Sequence, residues 1–334
     1  AQPAPAQQPV YPTPGSVPVQ QPVYPAPTPA SAPSQQPVYN PPSMQTSTAP
    51  SAAFIAAQRV APPPPASSSA AAWTPPIVDL ELEKQWYADG TQESRIITFP
   101  QFLSGHPYQY STLISGDTKS IILSVRFPED LSRTKFKIDC NRYDPSQVSA
   151  QRIDYPPPTR PSDADLESAA TAFGEPVARW CEANVGRQVG NGECWTLAHD
   201  ALVSVGALES MGYTHGVLIY KRCAGQLADP MGQNAEGTAA MVRRGDILQC
   251  KSTTFQFPGG GWKKAGNPDH TSVIVAVHAS PSGELLVTAL EQNSGAVRIV
   301  QQGTYDMSTF VDGEVKVYRP FWKEWIGDLD TKWP

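Results

Sequence analysis

The fold of this chain is decided by the stretch Gly192-Glu193-Cys194-Trp195-Thr196-Leu197-Ala198. The glycine permits a tight turn, and the apolar positions after Cys194 recur at helical spacing through Ala201 to about Val205. The pattern therefore predicts a helix that begins at Cys194. The unpaired N–H groups and the dipole of a helix start favour an anion, so a thiol there ionises more readily than an ordinary cysteine with its pKa of about 8.5.

A reactive thiol also needs a base, and His270 is the best candidate. It lies in Asn267-Pro268-Asp269-His270-Thr271-Ser272-Val273, where we expect it to open an apolar strand after a loop rich in Gly and Pro. A strand start beside a loop is a place from which a side chain projects into a cleft. The other four histidines are less suitably placed to act as this base: His106, His199, His215 and His278.

The group that orients the base is expected at the end of the next strand, in Leu290-Glu291-Gln292-Asn293-Ser294. Alternation places Glu291 and Asn293 on one face of that strand, and either of them is able to hold the second ring nitrogen of His270. Asn293 is alternatively a turn residue, because Ser294 and Gly295 follow it. Gln188, six residues before Cys194, is a candidate oxyanion donor or a solvated loop residue.

Three further side chains are candidates for a cleft beside Cys194, since pockets favour aromatic walls with a few polar groups. They are Trp195, Trp262 and Asp269. For the two tryptophans, packing in the core is the alternative interpretation.

Helical patterns come first in the C-terminal half, and strand patterns follow them, which predicts an α+β domain over 161–334. Ser162 and Asp165 have the spacing of a helix N-terminal capping box, and Pro176 predicts a kink or two short helices. Strands are expected at 217–222, 246–250, 271–278, 285–290, 297–301 and 315–318, with a hairpin at 281–283. Residues 77–160 read as a β-rich module or an extension of this domain, with strands at 95–99, 110–114, 120–127 and 135–140.

The segment 1–76 has a different composition. It holds most of the 36 prolines and a single charged residue, Arg59, so we expect a disordered Pro-rich tail. Gln-Gln-Pro-Val-Tyr occurs three times, at 7–11, 20–24 and 35–39. In Arg59-Val-Ala-Pro62-Pro-Pro-Pro65, a polyproline II helix places Pro62 and Pro65 on one edge, which makes these residues a candidate SH3 ligand or a stiff spacer.

Composition narrows the function classes. The net charge is −6 and no basic stripe occurs, which argues against nucleic-acid binding, and no apolar run is long enough to span a membrane. The five cysteines include no CxxC pair, so we expect buried thiols in a reducing compartment, with no disulfide framework, no metal site and no cofactor. A start at Ala1 suggests a fragment or a processed chain.

The ordered set of Gln188, Gly192-Glu193-Cys194-Trp195, His270 and Asn293 resembles papain-like cysteine peptidases. Arg244-Gly245-Asp246-Ile247-Leu248 before the histidine, and Glu291-Gln292-Asn293 after it, are similar to the CHAP and NlpC amidase-peptidase branch. That resemblance covers about 161–320. It implies a papain-like (CHAP/NlpC-type) thiol-hydrolase fold, with helices packed on an antiparallel sheet. It also implies that Cys194 is the nucleophile, His270 the base and Glu291 the orienting carboxylate, assisted by Asn293.

A Pro-rich tail joined to such a domain resembles the C-terminal region of fungal cortical-actin adaptors that interact with the myosin-I tail. The resemblance implies protein partners, namely SH3 domains or proteins of the actin cortex, and a place in the cytoplasm at actin patches. It leaves two functions open: a thiol peptidase or amidase, and a catalytically silent scaffold whose tail recruits SH3 domains.

Overall fold

The computed structural model describes residues 73–88, 99–224, 239–279, 283–295 and 297–334. The expectations for the Pro-rich tail and its SH3-ligand candidate (Arg59, Pro62 and Pro65) lie outside these residues, as does most of the strand expected at 95–99 and of the hairpin at 281–283. The chain divides into two compact units, 1–66 and 67–334, and every described residue belongs to the second.

The first part of this unit contains a four-stranded antiparallel sheet in the order β1-β2-β3-β4. Its strands, rich in β-branched and aromatic residues, are β1 (Tyr108–Ser115), β2 (Thr118–Arg126), β3 (Arg133–Asn141) and β4 (Val148–Tyr155). The strands expected at 110–114, 120–127 and 135–140 are therefore confirmed. A tight turn at Gly116, with φ +58°, joins β1 to β2.

One face of this sheet is covered by the chain that precedes it. Trp86 and Tyr87 pack with Ile121 and Ile138, and Leu103 packs with Leu123 in a second cluster. The pattern of 78–87 predicts a strand or a short helix, but the segment forms one 3₁₀ turn at Leu82–Lys84, a further turn at Trp86 and Tyr87, and no strand. The sheet thus has a small hydrophobic core of its own.

Three helices follow: α1 (Asp163–Ala169), α2 (Glu175–Ala183) and α3 (Cys194–Ser204). Ser162 and Asp165 form the expected capping box at the start of α1. A π-helical turn at Ala170–Gly174 joins α1 to α2, and Pro176 lies in the first turn of α2, where its missing N–H costs no hydrogen bond. The two short helices predicted around Pro176 are confirmed, and the π-helical turn joins them without a gap.

The helices pack on a six-stranded antiparallel sheet in the order β5-β10-β6-β7-β8-β9. Its strands are β5 (Val217–Cys223), β6 (Ile247–Gln256), β7 (Trp262–Ala279), β8 (Leu285–Glu291), β9 (Gln301–Asp306) and β10 (Phe310–Arg319). A continuous hydrophobic core fills the space between the helices and the sheet. Its members include Leu166, Val177, Leu197, Leu202, Ile247, Val273, Ile274, Val287 and Val317. The α+β arrangement is confirmed.

Two strand predictions need correction. β7 begins at Trp262 rather than near Thr271, so His270 lies inside a long strand and does not open it. The Gly and Pro residues before His270 looked like a loop, but the β6–β7 ladder accommodates them where its register shifts between Lys251 and Thr253. The strand expected at 297–301 is displaced to Gln301–Asp306, since Val297 and Val300 form only isolated bridges.

Charged side chains fasten the C-terminal residues to the first sheet. Lys135, which is buried, donates to Asp330 Oδ1 at 2.7 Å and to Lys332 O at 2.9 Å. Arg126 donates to the backbone oxygens of Ile326 and Gly327 at 2.8 and 2.9 Å. These contacts tie the four-stranded sheet to the same compact unit as the helices. Across the described ranges no helix is long and apolar enough to cross a membrane.

Candidate active site

Cys194 is the first residue of α3, as expected, and Glu193 is its N-cap. The cap makes no side-chain hydrogen bond to the helix, so the first amides of α3 remain directed towards the thiol. Cys194 is half-buried, whereas Cys140, Cys181 and Cys250 are buried. The turn before the helix passes through Gly192, whose φ of +82° favours glycine.

His270 reaches Cys194 from the middle of β7. Its imidazole hydrogen-bonds the Cys194 sulfur, and the backbone N–H groups of Thr271 and Trp195 donate to that sulfur as well. His270 Nε2 lies 3.0 Å from Glu291 Oε2. Because Glu291 engages Nε2, Nδ1 is the ring nitrogen that faces the thiol. The structure therefore brings Cys194, His270 and Glu291 together.

Glu291 is held by more than His270. The hydroxyl of buried Tyr305 donates to Glu291 Oε2, and Lys263 Nζ lies 3.9 Å from Oε1 and 3.7 Å from the centroid of the Tyr305 ring. A Cβ at position 303 would lie 2.6 Å from Glu291 Oε1, so Gly303 leaves the space that this carboxylate fills. Tyr305, Lys263 and Gly303 were not identified from sequence, because they come from strands whose neighbours only the sheet order defines.

Burial opposes the charged form of each member of this triad, and the contacts within the triad overcome it. For Cys194, hydrogen bonds from His270 and from the Thr271 amide outweigh desolvation and lower the pKa of the thiol. For His270, desolvation is outweighed by hydrogen bonds to Cys194 and Glu291, which raise its pKa to about 9. Desolvation of Glu291 is likewise outweighed by His270, Lys263 and Tyr305, and its pKa falls to about 2. All three shifts act in the direction of a thiolate–imidazolium pair beside an ionised Glu291.

The two residues after Glu291 position the loop before Cys194. Gln292, fully buried, accepts from Val189 N at 3.1 Å and donates to Val189 O at 3.0 Å and to Glu193 O at 2.7 Å. Asn293 donates to Glu193 Oε2 at 2.6 Å and has a φ of +59°, so the alternation of the strand has ended before it. Asn293 therefore lies in the site without contacting His270, and Gln292 was missed because alternation placed it on the other face.

The three hydrogen bonds of Gln292 lead to a stability prediction. We expect Gln292→Ala to lower the free energy of unfolding by about 1–3 kcal/mol, because it leaves buried backbone groups unpaired. The matched control is Gln188→Ala, which removes an exposed amide and should cost less than about 0.5 kcal/mol. Urea denaturation followed by tryptophan fluorescence measures both. Equal losses in the two variants would contradict the role given to Gln292.

Of the four residues predicted as oxyanion donor or cleft wall, only Asp269 lines the cavity at Cys194. Gln188 is exposed and donates to Gly190 O at 3.1 Å, away from the thiol. Trp262 is 64% exposed at the start of β7. Asp269 lines a cavity of about 870 Å³ that also borders Cys194, His270 and Asn293. Trp195 does not border that cavity; it stacks on His199 at 4.5 Å and faces a neighbouring groove.

Another buried polar group supports the wall of the site. His215 lies 2.7 Å from Ser210 Oγ and 3.1 Å from Gln249 Oε1, and burial lowers its pKa to about 4. Gln249 also accepts from Thr271, the residue after His270. A neutral His215 thus links the loop before β5 to the strand that carries the base.

Nothing in the described ranges fits a metal ion, since they contain no group of three or more His, Cys, Asp or Glu residues with suitable placement.

Sequence comparisons relate this chain to known proteins. A sequence model of the AIM3/BBC1 cysteine proteinase-fold domain matches residues 149–330. The chain is 32% identical over 276 residues to "Altered inheritance of mitochondria protein 3" of Debaryomyces hansenii, covering 76% of this chain and 28% of that protein. It is 23% identical over 252 residues to "SH3 domain-containing protein C23A1.17" of Schizosaccharomyces pombe, covering 73% and 15%.

The chain thus spans less than a third of the length of these two relatives. No solved structure gives a significant match. The matched residues, 149–330, include the helix of Cys194, the strand of His270 and the strand of Glu291. The chain belongs to the family of proteins with an AIM3/BBC1 cysteine proteinase-fold domain.

Proposed function

We propose that this domain is a thiol hydrolase that cleaves peptide or amide bonds, with Cys194 as nucleophile. One observation carries the proposal: His270 contacts Cys194 while its Nε2 lies 3.0 Å from the buried carboxylate of Glu291. A nucleophile, a base and a group that orients the base are the parts that covalent acyl transfer requires. His270 is the base and Glu291 holds its ring.

In the first half of the reaction, the Cys194 sulfur attacks the substrate carbonyl carbon and forms an S–C bond. The C–N bond breaks, and the imidazolium of His270 gives its proton to the leaving amine. In the second half, neutral His270 takes a proton from water as the water oxygen attacks the thioester. The C–S bond then breaks with its electron pair going to sulfur, the carboxylic acid leaves, and the thiolate–imidazolium pair is restored.

The oxyanion of each tetrahedral intermediate needs fixed N–H donors. The Thr196 amide is already bonded to Glu193 O at 3.1 Å, but the amides of Cys194 and Trp195 at the start of α3 have no intrahelical acceptor, and the Trp195 amide lies beside the reacting sulfur. We assign them to this role. Gln188 contributes a second donor only if its side chain leaves Gly190, with which it is paired here.

A burst assay with p-nitrophenyl acetate tests the proposal. Acylation of Cys194 should release about one equivalent of p-nitrophenolate per chain before slower turnover. We expect Cys194→Ala to abolish this burst and Cys223→Ala to retain it. Cys223 is the matched control, because it is the other half-buried thiol and burial raises its pKa. A burst that survives Cys194→Ala, or no burst in the unaltered protein, would refute the hydrolase.

Within the cysteine proteinase folds, we propose that this domain is similar to the CHAP and NlpC branch. The support is the chain order Cys194, His270, Glu291 and the Gly245-Asp246 turn that precedes β6. Bacterial members of that branch cleave cell-wall peptides. We do not extend that substrate to this chain.

A second function, that of an adaptor, is supported by two observations. The tail carries the candidate SH3 ligand Arg59-Val-Ala-Pro62-Pro-Pro-Pro65, and one relative is named as an SH3 domain-containing protein. We propose that the chain is part of a cytoplasmic adaptor at cortical actin patches, with SH3-domain or myosin-I-related partners. If Cys194 proves unreactive, the domain is a silent scaffold in this adaptor.

A further inference from the structure

A second groove, of about 710 Å³, lies beside the Cys194 cavity. One wall comes from the chain around the four-stranded sheet, at Ser104–His106 and at Pro128 and Glu129. The opposite wall includes Trp195 and Tyr213. The first wall lies outside residues 149–330, which the family model matches. The residues that the family model matches therefore do not form this groove by themselves.

The groove and the Cys194 cavity share one lining residue. Asp269 lines both of them, and Trp195, next to Cys194 in the chain, lines the groove. A ligand that extends from the groove past Asp269 therefore enters the cavity that Cys194 borders. Each cavity by itself has the volume of a small-molecule site, so the pair suits a longer ligand that extends past Cys194.

Three contacts fix the loop that carries Tyr213 at this junction. Trp195 Nε1 donates to Gly212 O at 2.6 Å, and Thr214 Oγ1 donates to Pro128 O, also at 2.6 Å. The Tyr213 hydroxyl hydrogen-bonds Asp269. The helix of Cys194, the first sheet and the strand of His270 all hold this loop. Even so, the Tyr213 ring is 54% exposed, and an exposed ring fixed in this way is available to a ligand.

The charges of the groove indicate what kind of ligand fits. It contains the carboxylates of Glu129, Asp269 and Glu314 and the ammonium groups of Lys251 and Lys316. Glu314 is paired with Lys316 at 2.7 Å. The polar partners that the described residues give Asp269 are neutral, namely Tyr213 and Gln249. Lys251 lies opposite Asp269 in the β6–β7 register, but among the described residues the two form no ion pair. With Lys316 paired to Glu314, the carboxylates of Glu129 and Asp269 stand against the single ammonium of Lys251, and a basic side chain on the ligand would balance this excess.

We propose that this groove binds an extended segment of a polypeptide substrate, with a basic side chain opposite Asp269 and the backbone against the Tyr213 ring. The proposal rests on the proposed hydrolase, because it makes the groove the part of the substrate site that determines specificity. The β-rich extension is then a functional wall of the site. Tyr213 and Asp269 are specificity-determining residues and take no part in bond breaking.

A peptide library tests this proposal without the reaction. Fluorescein-labelled decapeptides, with one position fixed as Arg, Lys, Glu or Asp and the others randomised, are titrated against the Cys194→Ala protein and followed by anisotropy. We expect the Arg and Lys pools to bind at least about tenfold more tightly than the Glu and Asp pools, since acidic side chains face a carboxylate. Asp269→Asn should remove most of that preference.

Tyr213→Ala should weaken the binding of the Arg pool at least about fivefold. Its control, Tyr143→Ala, removes another exposed tyrosine, which lies outside the groove, and should leave binding unchanged. Equal binding of the four pools, no binding by any pool, or equal effects of the two tyrosine variants would overturn the proposal. The burst with p-nitrophenyl acetate is measured separately. A burst without peptide binding refutes only the groove, and peptide binding without a burst refutes only the hydrolase.

Discussion

His270→Ala should slow the alkylation of Cys194 by iodoacetamide about 10- to 100-fold at pH 6. In the intact protein, the His270 hydrogen bond and charge lower the pKa of the thiol against the effect of burial. Without them, the thiolate fraction falls towards that of a buried, unassisted thiol. The loss is smaller than the change in thiolate fraction, because a less acidic thiol gives a more nucleophilic thiolate.

The pH profile shows whether this loss is electrostatic. Cys194 in the intact protein should stay reactive as the pH falls from 8 to 6, because His270, with its pKa raised to about 9, remains charged throughout that window. In His270→Ala, the rate should fall almost tenfold for each pH unit in the same window. Peptide mass spectrometry after timed quenching measures each thiol, with Cys223 as the internal control. Parallel profiles for Cys194 in the two proteins would show that no ion pair forms.

Arg319→Met should lower the free energy of unfolding by about 3–5 kcal/mol, because it leaves a buried charge without its partner. Arg319 is 1% exposed and donates to Asp246 Oδ1 at 2.5 Å and to Oδ2 at 3.1 Å. It also donates to the backbone oxygens of Leu166 and Met241 at 2.7 and 2.6 Å. One side chain at the end of β10 therefore joins α1 to the turn before β6.

Urea denaturation measures this loss, with Arg179→Met as the control. Arg179 forms an exposed i,i+4 pair with Glu175 at 2.6 Å, and its loss should cost no more than about 0.5 kcal/mol. The double variant Asp246→Ala/Arg319→Met should be less destabilised than the sum of its two single variants, since neither charge is then left alone. A cost for Arg319→Met similar to that for Arg179→Met would rule out a structural role for the buried pair.

Local patterns in the sequence predicted the helices well. The capping box at Ser162 and Asp165, the break near Pro176 and the start of α3 at Cys194 all depend on residues within a few positions of each other. Long-range features were predicted less well. The Gly and Pro residues in the first half of β7 predict a loop. The structure has a strand there, because irregular pairing with β6 tolerates these residues.

The sequence by itself determined which thiol occupies the special position, because the helix start at Cys194 is a local property. It also supplied the order of Cys194, His270 and Glu291 along the chain. Only the tertiary structure decided between Glu291 and Asn293 as the contact of His270, and only it showed Tyr305 and Lys263 around that carboxylate. The reason is physical: strand order and register set which side chains meet across a sheet, and the separation of residues along the chain does not contain that information.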